Sequence, residues 1–278
     1  MSLKKYVKRL IKFVLYENKQ PIVYSNICVN SSNKIHEGKN YFITGGGSGL
    51  GFEIAKSLIN SGAFVIIGGR NEEKLIKAKN ELGDNCEYVK IDVTDVHESE
   101  KVLENIFSKY NKLDGIINNA GISLHEENIL DVSEENYDMQ FNTNLKSSYF
   151  LSKKYIKLFQ KSKQKNGNII FISSERGSMC DDIPYGLTKV AINSLTEGLS
   201  RRFYKSGIRV NAIAPGVTCS ELTKIKKTDD LYSDKAAGRI LMPEEIAEVT
   251  NFILSDYSKC ISGEIINCDA GNHLPHYF

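Results

Sequence analysis

Tyr185 and Lys189 stand four residues apart in the run Tyr185-Gly186-Leu187-Thr188-Lys189. On a helix that spacing puts both side chains on one face. A phenol ordinarily ionises near pH ~10, and an ammonium beside it favours the phenolate and lowers that value. A phenol tuned in this way can give a proton to an oxygen and take it back, which is general acid–base work. A second cluster, Ile43-Thr44-Gly45-Gly46-Gly47-Ser48-Gly49-Leu50-Gly51, carries five glycines in nine residues. Glycine costs conformational entropy on folding, so such a cluster inside a folded region needs a local reason. A linker would have polar flanks, whereas this cluster joins an apolar run to an amphipathic one. A triphosphate loop would end in Gly-Lys-Ser/Thr, and here Phe52 follows the last glycine. What remains is a dinucleotide-binding turn. Gly45 would allow the sharp turn, Gly49 the approach of backbone to a pyrophosphate, and Gly51 the close packing of helix on sheet. The free N–H groups and positive end of that helix would favour the phosphates.

These residues need elements to hold them. "NYFITG" predicts a strand, and "FEIAKSLINSG" places Ile54, Ala55, Leu58 and Ile59 on one helical face, closed by Gly62. "AFVIIGG" is a short continuous apolar run, as in a buried parallel strand. Further strands are predicted at "CEYVKIDV", "LDGIINNAG", "NIIFISS", "IRVNAIAPG" and "GEIINCDAG". Helical patterns lie between them. Asp95 and Glu98 are spaced as a capping box, and Pro243 with Glu244 and Glu245 suits the first turn of a late helix. Strands alternating with helices of this length specify an α/β fold, a doubly wound parallel sheet of about seven strands covered on both faces.

Composition narrows the function classes. The chain has 278 residues, with 36 Lys and Arg against 34 Asp and Glu, a net charge of +2. That balance gives no argument for a bulk nucleic-acid binder. No apolar run reaches the ~20 residues needed to cross a bilayer, and a cytoplasmic location is expected. The six cysteines, Cys28, Cys86, Cys180, Cys219, Cys260 and Cys268, form no C-x-x-C pair and fit no zinc spacing, so no metal site is expected. Residues 1–37 are expected to be a basic amphipathic N-terminal extension, with Lys4, Lys5, Lys8, Arg9 and Lys12 against Leu3, Tyr6, Val7, Leu10, Ile11 and Val14. Lys12 interrupts the apolar stretch that a signal peptide would need. Such a helix could dock on another subunit or on the body of the protein, or meet an acidic membrane surface. Residues 38–278 are expected to form one domain.

With "NNAG" at Asn118–Gly121 and Pro215-Gly216 added, the motifs resemble the short-chain dehydrogenase/reductase family, in that family's order, over residues 38–272. Within it the chain resembles the 3-oxoacyl-carrier-protein reductases, with broad ketone or sugar reductases as the alternative. The resemblance implies a Rossmann fold and an oxidoreductase that interconverts a ketone and a secondary alcohol by hydride transfer. Tyr185 would be the general acid/base and Lys189 its partner. It implies a serine after the fifth strand that bonds the substrate oxygen, Ser174 with Ser173 as the alternative, and a helix asparagine, Asn144, that holds a water for proton relay. The glycine turn (Gly45, Gly47, Ser48, Gly49, Leu50, Gly51) would bind the cofactor. Asp92 and Val93 would border its adenine, Asn119 with Gly121 the adjoining ribose, and Pro215, Thr218 and Ser220 the nicotinamide. Where a carboxylate would bind the ribose of NAD, the chain has Gly69 followed by Arg70. A guanidinium can clamp a 2′-phosphate, so NADP(H) is expected, with NAD(H) as the alternative. Glu221 to Arg239 would form the substrate lid; its Lys224, Lys226 and Lys227, with Asp229 and Asp230, read as a solvated loop, and a phosphate-bearing or carrier-linked substrate is the alternative. The family implies a homodimer or homotetramer built through the long helices. A cofactor-bound sensor without turnover and a nucleotide-sugar epimerase or dehydratase are the rival functions.

Overall fold

The computed structural model describes residues 34–275. Cys28 and nearly all of the basic amphipathic segment expected over residues 1–37 lie outside the described residues. Seven strands form one parallel sheet: β1 (Asn40–Thr44), β2 (Phe64–Gly69), β3 (Cys86–Lys90), β4 (Gly115–Asn118), β5 (Gly167–Ile172), β6 (Ile208–Pro215) and β7 (Ile265–Cys268). Their order is β3-β2-β1-β4-β5-β6-β7, with every neighbouring pair parallel. The strand order reverses between β1 and β4, and α/β sheets bind ligands beyond the strand ends at that point.

Alternation along the strands sorts side chains onto two faces. Tyr41, Ile43, Val65 and Ile67 pack into one core with Ile54, Leu58 and Ile246. Phe42 and Ile66 face the other core with Leu103, Tyr155 and Phe159. The first core lies under helices α1 (Gly49–Asn60) and α7 (Pro243–Leu254), the second under α3 (Val96–Tyr110) and α5 (Ser147–Lys161). Helix α2 (Glu72–Leu82) follows β2, a short α4 (Glu134–Gln140) precedes α5, and α6 (Pro184–Phe203) follows β5.

One local detail differs from expectation. Asp95 caps α3 by accepting from the Glu98 N–H at 2.9 Å, but the Glu98 carboxylate takes the Asp92 N–H at 3.4 Å, so the reciprocal half of the box is not made. The helical run after Ser133 is not continuous α-helix. Phe141–Lys146 form a π-helical turn between α4 and α5, and Asn144 lies inside it. Such turns concentrate at functional sites.

Candidate active site

The glycine turn shapes the cleft beyond β1. Gly45 and Gly49 have φ of 67° and 56°, in the left-handed region that disfavours side chains. The Gly45 N–H donates to the Gly68 carbonyl at 2.7 Å, which ties the turn to the end of β2. A Cβ on Gly51 would lie 2.4 Å from the Gly45 carbonyl oxygen, so the helix can meet the turn only without a side chain there. Asn119 staples the turn from the other side, its Nδ2 donating to the carbonyls of Thr44 and Gly45 at 2.9 and 3.1 Å. That amide nitrogen is spent on the turn, so any ribose contact from Asn119 falls to its remaining groups.

The residues present fit a dinucleotide. Ser48 caps α1 without a side-chain bond to its N–H groups, and the first turn carries no acid. The backbone donors and positive helix end are therefore left for an anion. The cleft of about 450 Å³ is lined by Gly45, Ser48–Gly51, Asn119–Gly121, Pro215–Thr218 and Ser220 from one group of loops, and by Ser174, Tyr185 and Lys189 from another. Gly47 packs against Leu75, and neither it nor Arg70, Asp92 and Val93 belongs to that lining. Arg70 is exposed at the end of β2 and makes no ion pair among the described residues. Burial pushes the Asp92 carboxyl up, but bonds from the Thr94 N–H and hydroxyl, with the Arg70 charge, bring it below its ordinary value. Val93 is buried beside it.

Tyr185 and Lys189 come from successive turns of α6. Pro184 at the first helical position sets the start of this helix, since it lacks only an N–H that would have no helical partner. Lys189 is buried and its Nζ donates to the Ile172 carbonyl at 2.8 Å, 5.5 Å from the centre of the Tyr185 ring. Burial lowers its pKa to about 8. The Tyr185 phenol is pushed above its ordinary value by burial, and the Ser174 hydroxyl and Arg176 guanidinium draw it back down. One N–H of Lys189 is thus directed at a backbone carbonyl, and the ammonium lies over the Tyr185 ring.

The two candidate serines diverge. The Ser173 hydroxyl donates to Asn193 Oδ1 at 2.6 Å and turns into α6. The Ser174 oxygen accepts from the Arg176 N–H at 3.3 Å, and its hydroxyl is shared with the Tyr185 phenol. Asn144 is buried, with Oδ1 accepting from the Ile122 N–H at 2.8 Å and Nδ2 donating to the Ile122 carbonyl and to Thr188 Oγ1 at 2.9 and 3.2 Å. Its amide joins the loop after β4 to α6, with both Nδ2 hydrogens engaged there. Gly121 separates Asn144 from Lys189: a Cβ there would lie 3.4 Å from Asn144 Oδ1 and 3.7 Å from Lys189 Nζ.

Ser220–Thr223 line one side of the cleft, and none of Lys224, Lys226 and Lys227 does. Lys227 turns instead to Glu53, at 3.1 Å, and to Glu244. Lys74 of α2 reaches across to Glu221 at 2.7 Å. Thr218 Oγ1 donates to the Gly216 carbonyl at 2.8 Å, and the hydroxyl of Ser220 pairs with Thr223 at 3.1 Å. Sequence reasoning missed Glu175, Arg176, Asp181 and Thr188. Arg176 makes a two-pronged pair with the buried Asp181 at the cleft mouth, its Nη2 at 2.6 Å. The opposite charges five apart in "ERGSMCDD" were the available signal. Among the described residues there is no cluster of metal-ligating side chains and no helix long and apolar enough to cross a membrane.

Comparison with known proteins agrees with this architecture. The model of the short chain dehydrogenase family matches residues 39–231. A 3-oxoacyl-[acyl-carrier-protein] reductase of Chlamydia trachomatis is 35% identical over 244 residues, 84% of this chain and 96% of the relative. One of Thermotoga maritima is 31% identical, over 84% of this chain and 98% of its own. The crystal structure of 3-ketoacyl-(acyl-carrier-protein) reductase from Brucella melitensis complexed with NADH is 28% identical, with a TM-score of 0.80 over 86% of this chain and 99% of that one. A short-chain type dehydrogenase/reductase from Mycobacterium ulcerans gives 29% and 0.80, over 87% of this chain and 92% of that one. With the glycine turn, the Tyr–Lys helix and the sheet order in place, these matches make the chain a member of the short-chain dehydrogenase family.

Proposed function

We propose that the protein is an NADP(H)-dependent oxidoreductase that interconverts a ketone and a secondary alcohol. The observation that carries this is the wall of Ser174, Tyr185 and Lys189 facing the glycine turn across one cleft. When bound, the nicotinamide dinucleotide supplies or accepts the hydride. Tyr185 gives its phenolic proton to the carbonyl oxygen in reduction and takes it back in oxidation. Ser174 donates a hydrogen bond to the same oxygen, stabilising the charge that develops there. Lys189, with its pKa near 8, stays mainly protonated at neutral pH and holds the base of α6 to β5 through the Ile172 carbonyl. Asn144 positions α6 against the loop after β4 through Thr188.

The preference for NADP(H) is supported by Arg70, exposed and without an ion pair among the described residues, at the strand end where a carboxylate would select NAD. The names of the matched relatives make 3-oxoacyl thioesters one substrate class to compare. Assembly through the long helices is supported by an apolar groove between the π turn, α5 and α6, lined by Phe141, Leu145, Tyr149, Phe150 and Leu195. The test is consumption of NADPH and of NADH against a panel of ketones. Turnover favouring NADPH is expected. Binding of either dinucleotide without turnover across the panel would instead favour a sensor.

A further inference from the structure

Glu175 is a buried carboxylate that the chemistry above does not use. It follows Ser174 directly and opens the 3-10 turn Glu175–Ser178. It is 9% exposed, yet it lines the cleft with Tyr185 and Gly216. Oε2 accepts from the Asn272 amide at 3.0 Å, and Oε1 has no hydrogen bond among the described residues. No lysine or arginine among those residues forms an ion pair with it, because the neighbouring Arg176 is committed to Asp181. Burial pushes its pKa up; the Asn272 hydrogen bond opposes this, the Asp269 charge adds to the rise, and Lys235 and Arg176 oppose it more weakly. A Cβ on Gly216 would come within 3.1 Å of Oε2, so that glycine lets the carboxylate sit against the loop that bounds the cleft.

A buried carboxylate without a cation is costly, and one in a cleft is a candidate for completion by a ligand. When Glu175 is ionised, the group that completes it must donate. Ser174 and Tyr185 would hold the carbonyl oxygen, and Glu175, next in the chain, lines the same cleft. We propose that Glu175 selects the substrate by accepting a hydrogen bond from a hydroxyl or ammonium group beside the carbonyl. The preferred ketone is then an α-hydroxy or α-amino ketone, reduced to the corresponding vicinal diol or amino alcohol. A 3-oxoacyl thioester offers only acceptor oxygens near its ketone and meets the carboxylate unfavourably. This inference rests on the cleft being a ketone reductase site.

The test is kcat/KM with NADPH for hydroxyacetone, aminoacetone and butan-2-one, which have the same number of heavy atoms, and for an acetoacetyl thioester of N-acetylcysteamine. The wild type should favour one or both donor-bearing ketones over butan-2-one by on the order of 10–100-fold, the range for a hydrogen bond to a charged group. The two donor arms tell hydroxyl from ammonium recognition. Glu175→Ala should bring that ratio within about threefold of unity, and Glu175→Gln, which keeps an acceptor oxygen without charge, should fall between. Thermal melts establish that each variant folds. Butan-2-one or the thioester used as well as the donor-bearing ketones by the wild type would overturn the proposal, as would a ratio unchanged in Glu175→Ala. If no ketone is reduced at all, the reductase function itself fails and the proposal falls with it.

Discussion

Replacing Gly51 by alanine tests how the glycine turn is built. The new Cβ would stand 2.4 Å from the Gly45 carbonyl oxygen and 2.5 Å from Asn119 Nδ2. Neither neighbour is a flexible side-chain end free to swing away. Gly45 is backbone held by the Gly68 carbonyl, and Asn119 is held by two carbonyls at 2.9 and 3.1 Å. Overpacking costs about 1–3 kcal/mol, and loss of the Asn119 bonds adds about 1 kcal/mol each. Alanine returns about 1 kcal/mol through helix propensity, which leaves a net loss of about 3 kcal/mol. At roughly 2–4 °C per kcal/mol for a domain of this size, the melting temperature should fall by about 6–12 °C. Gly49→Ala meets nothing nearer than Ser220 Cβ at 3.8 Å, but its φ of 56° costs about 1 kcal/mol. Gly47→Ala makes only ordinary contact with Leu75 at 3.4 Å and should be nearly neutral. Thermal melts of the three variants without dinucleotide should therefore rank Gly51→Ala as most damaging, then Gly49→Ala, then Gly47→Ala. A Gly51→Ala protein that melts with the wild type, or above Gly49→Ala, would refute the packing described.

Two further outcomes follow from charge. Lys189 has a folded pKa of about 8 against an ordinary 10.5, so the unfolded chain binds more protons between those values and stability rises with pH through that window. The burial penalty, about 3 kcal/mol, is present in full below pH 8 and is lost as pH climbs towards 10.5. Lys189→Met should thus stabilise the fold by about 2 kcal/mol near neutral pH, after about 1 kcal/mol is given up with the Ile172 bond. Denaturation midpoints should show that advantage shrinking at higher pH; a constant difference would contradict it. Arg70→Asp should lower the ratio of NADPH to NADH use by on the order of tenfold or more, since it replaces attraction for a 2′-phosphate by repulsion. An unchanged ratio in steady-state kinetics would remove the role given to that arginine.

Some of this molecule is written in residue types and some only in geometry. The parallel sheet was legible because Tyr41, Ile43, Val65 and Ile67 alternate with Phe42 and Ile66, and a buried strand needs no more than that pattern. The glycine turn was legible because positive φ at Gly45 and Gly49 leaves a compositional mark. The π turn at Phe141–Lys146 leaves none, since no side chain is required for an i to i+5 bond. Asn144 lies within that turn, its amide bonded to Ile122 and Thr188. The direction of the Lys189 proton was equally hidden. Spacing on α6 placed the ammonium near the phenol, but the Ile172 carbonyl that captures it comes from β5, thirteen residues before the phenol and on another element. Arg176 and Asp181 were visible as charges, yet their pairing depends on how the short segment between β5 and α6 folds back.

The most direct test of the chemistry is Tyr185→Phe, assayed for NADPH oxidation by a ketone that the wild type reduces and for dinucleotide affinity by fluorescence titration. The ring remains and only the hydroxyl is lost, so affinity should stay within about threefold while turnover falls by on the order of 100- to 10,000-fold, the usual contribution of a positioned acid. Turnover that survives the substitution nearly intact would contradict the assignment of the proton to Tyr185.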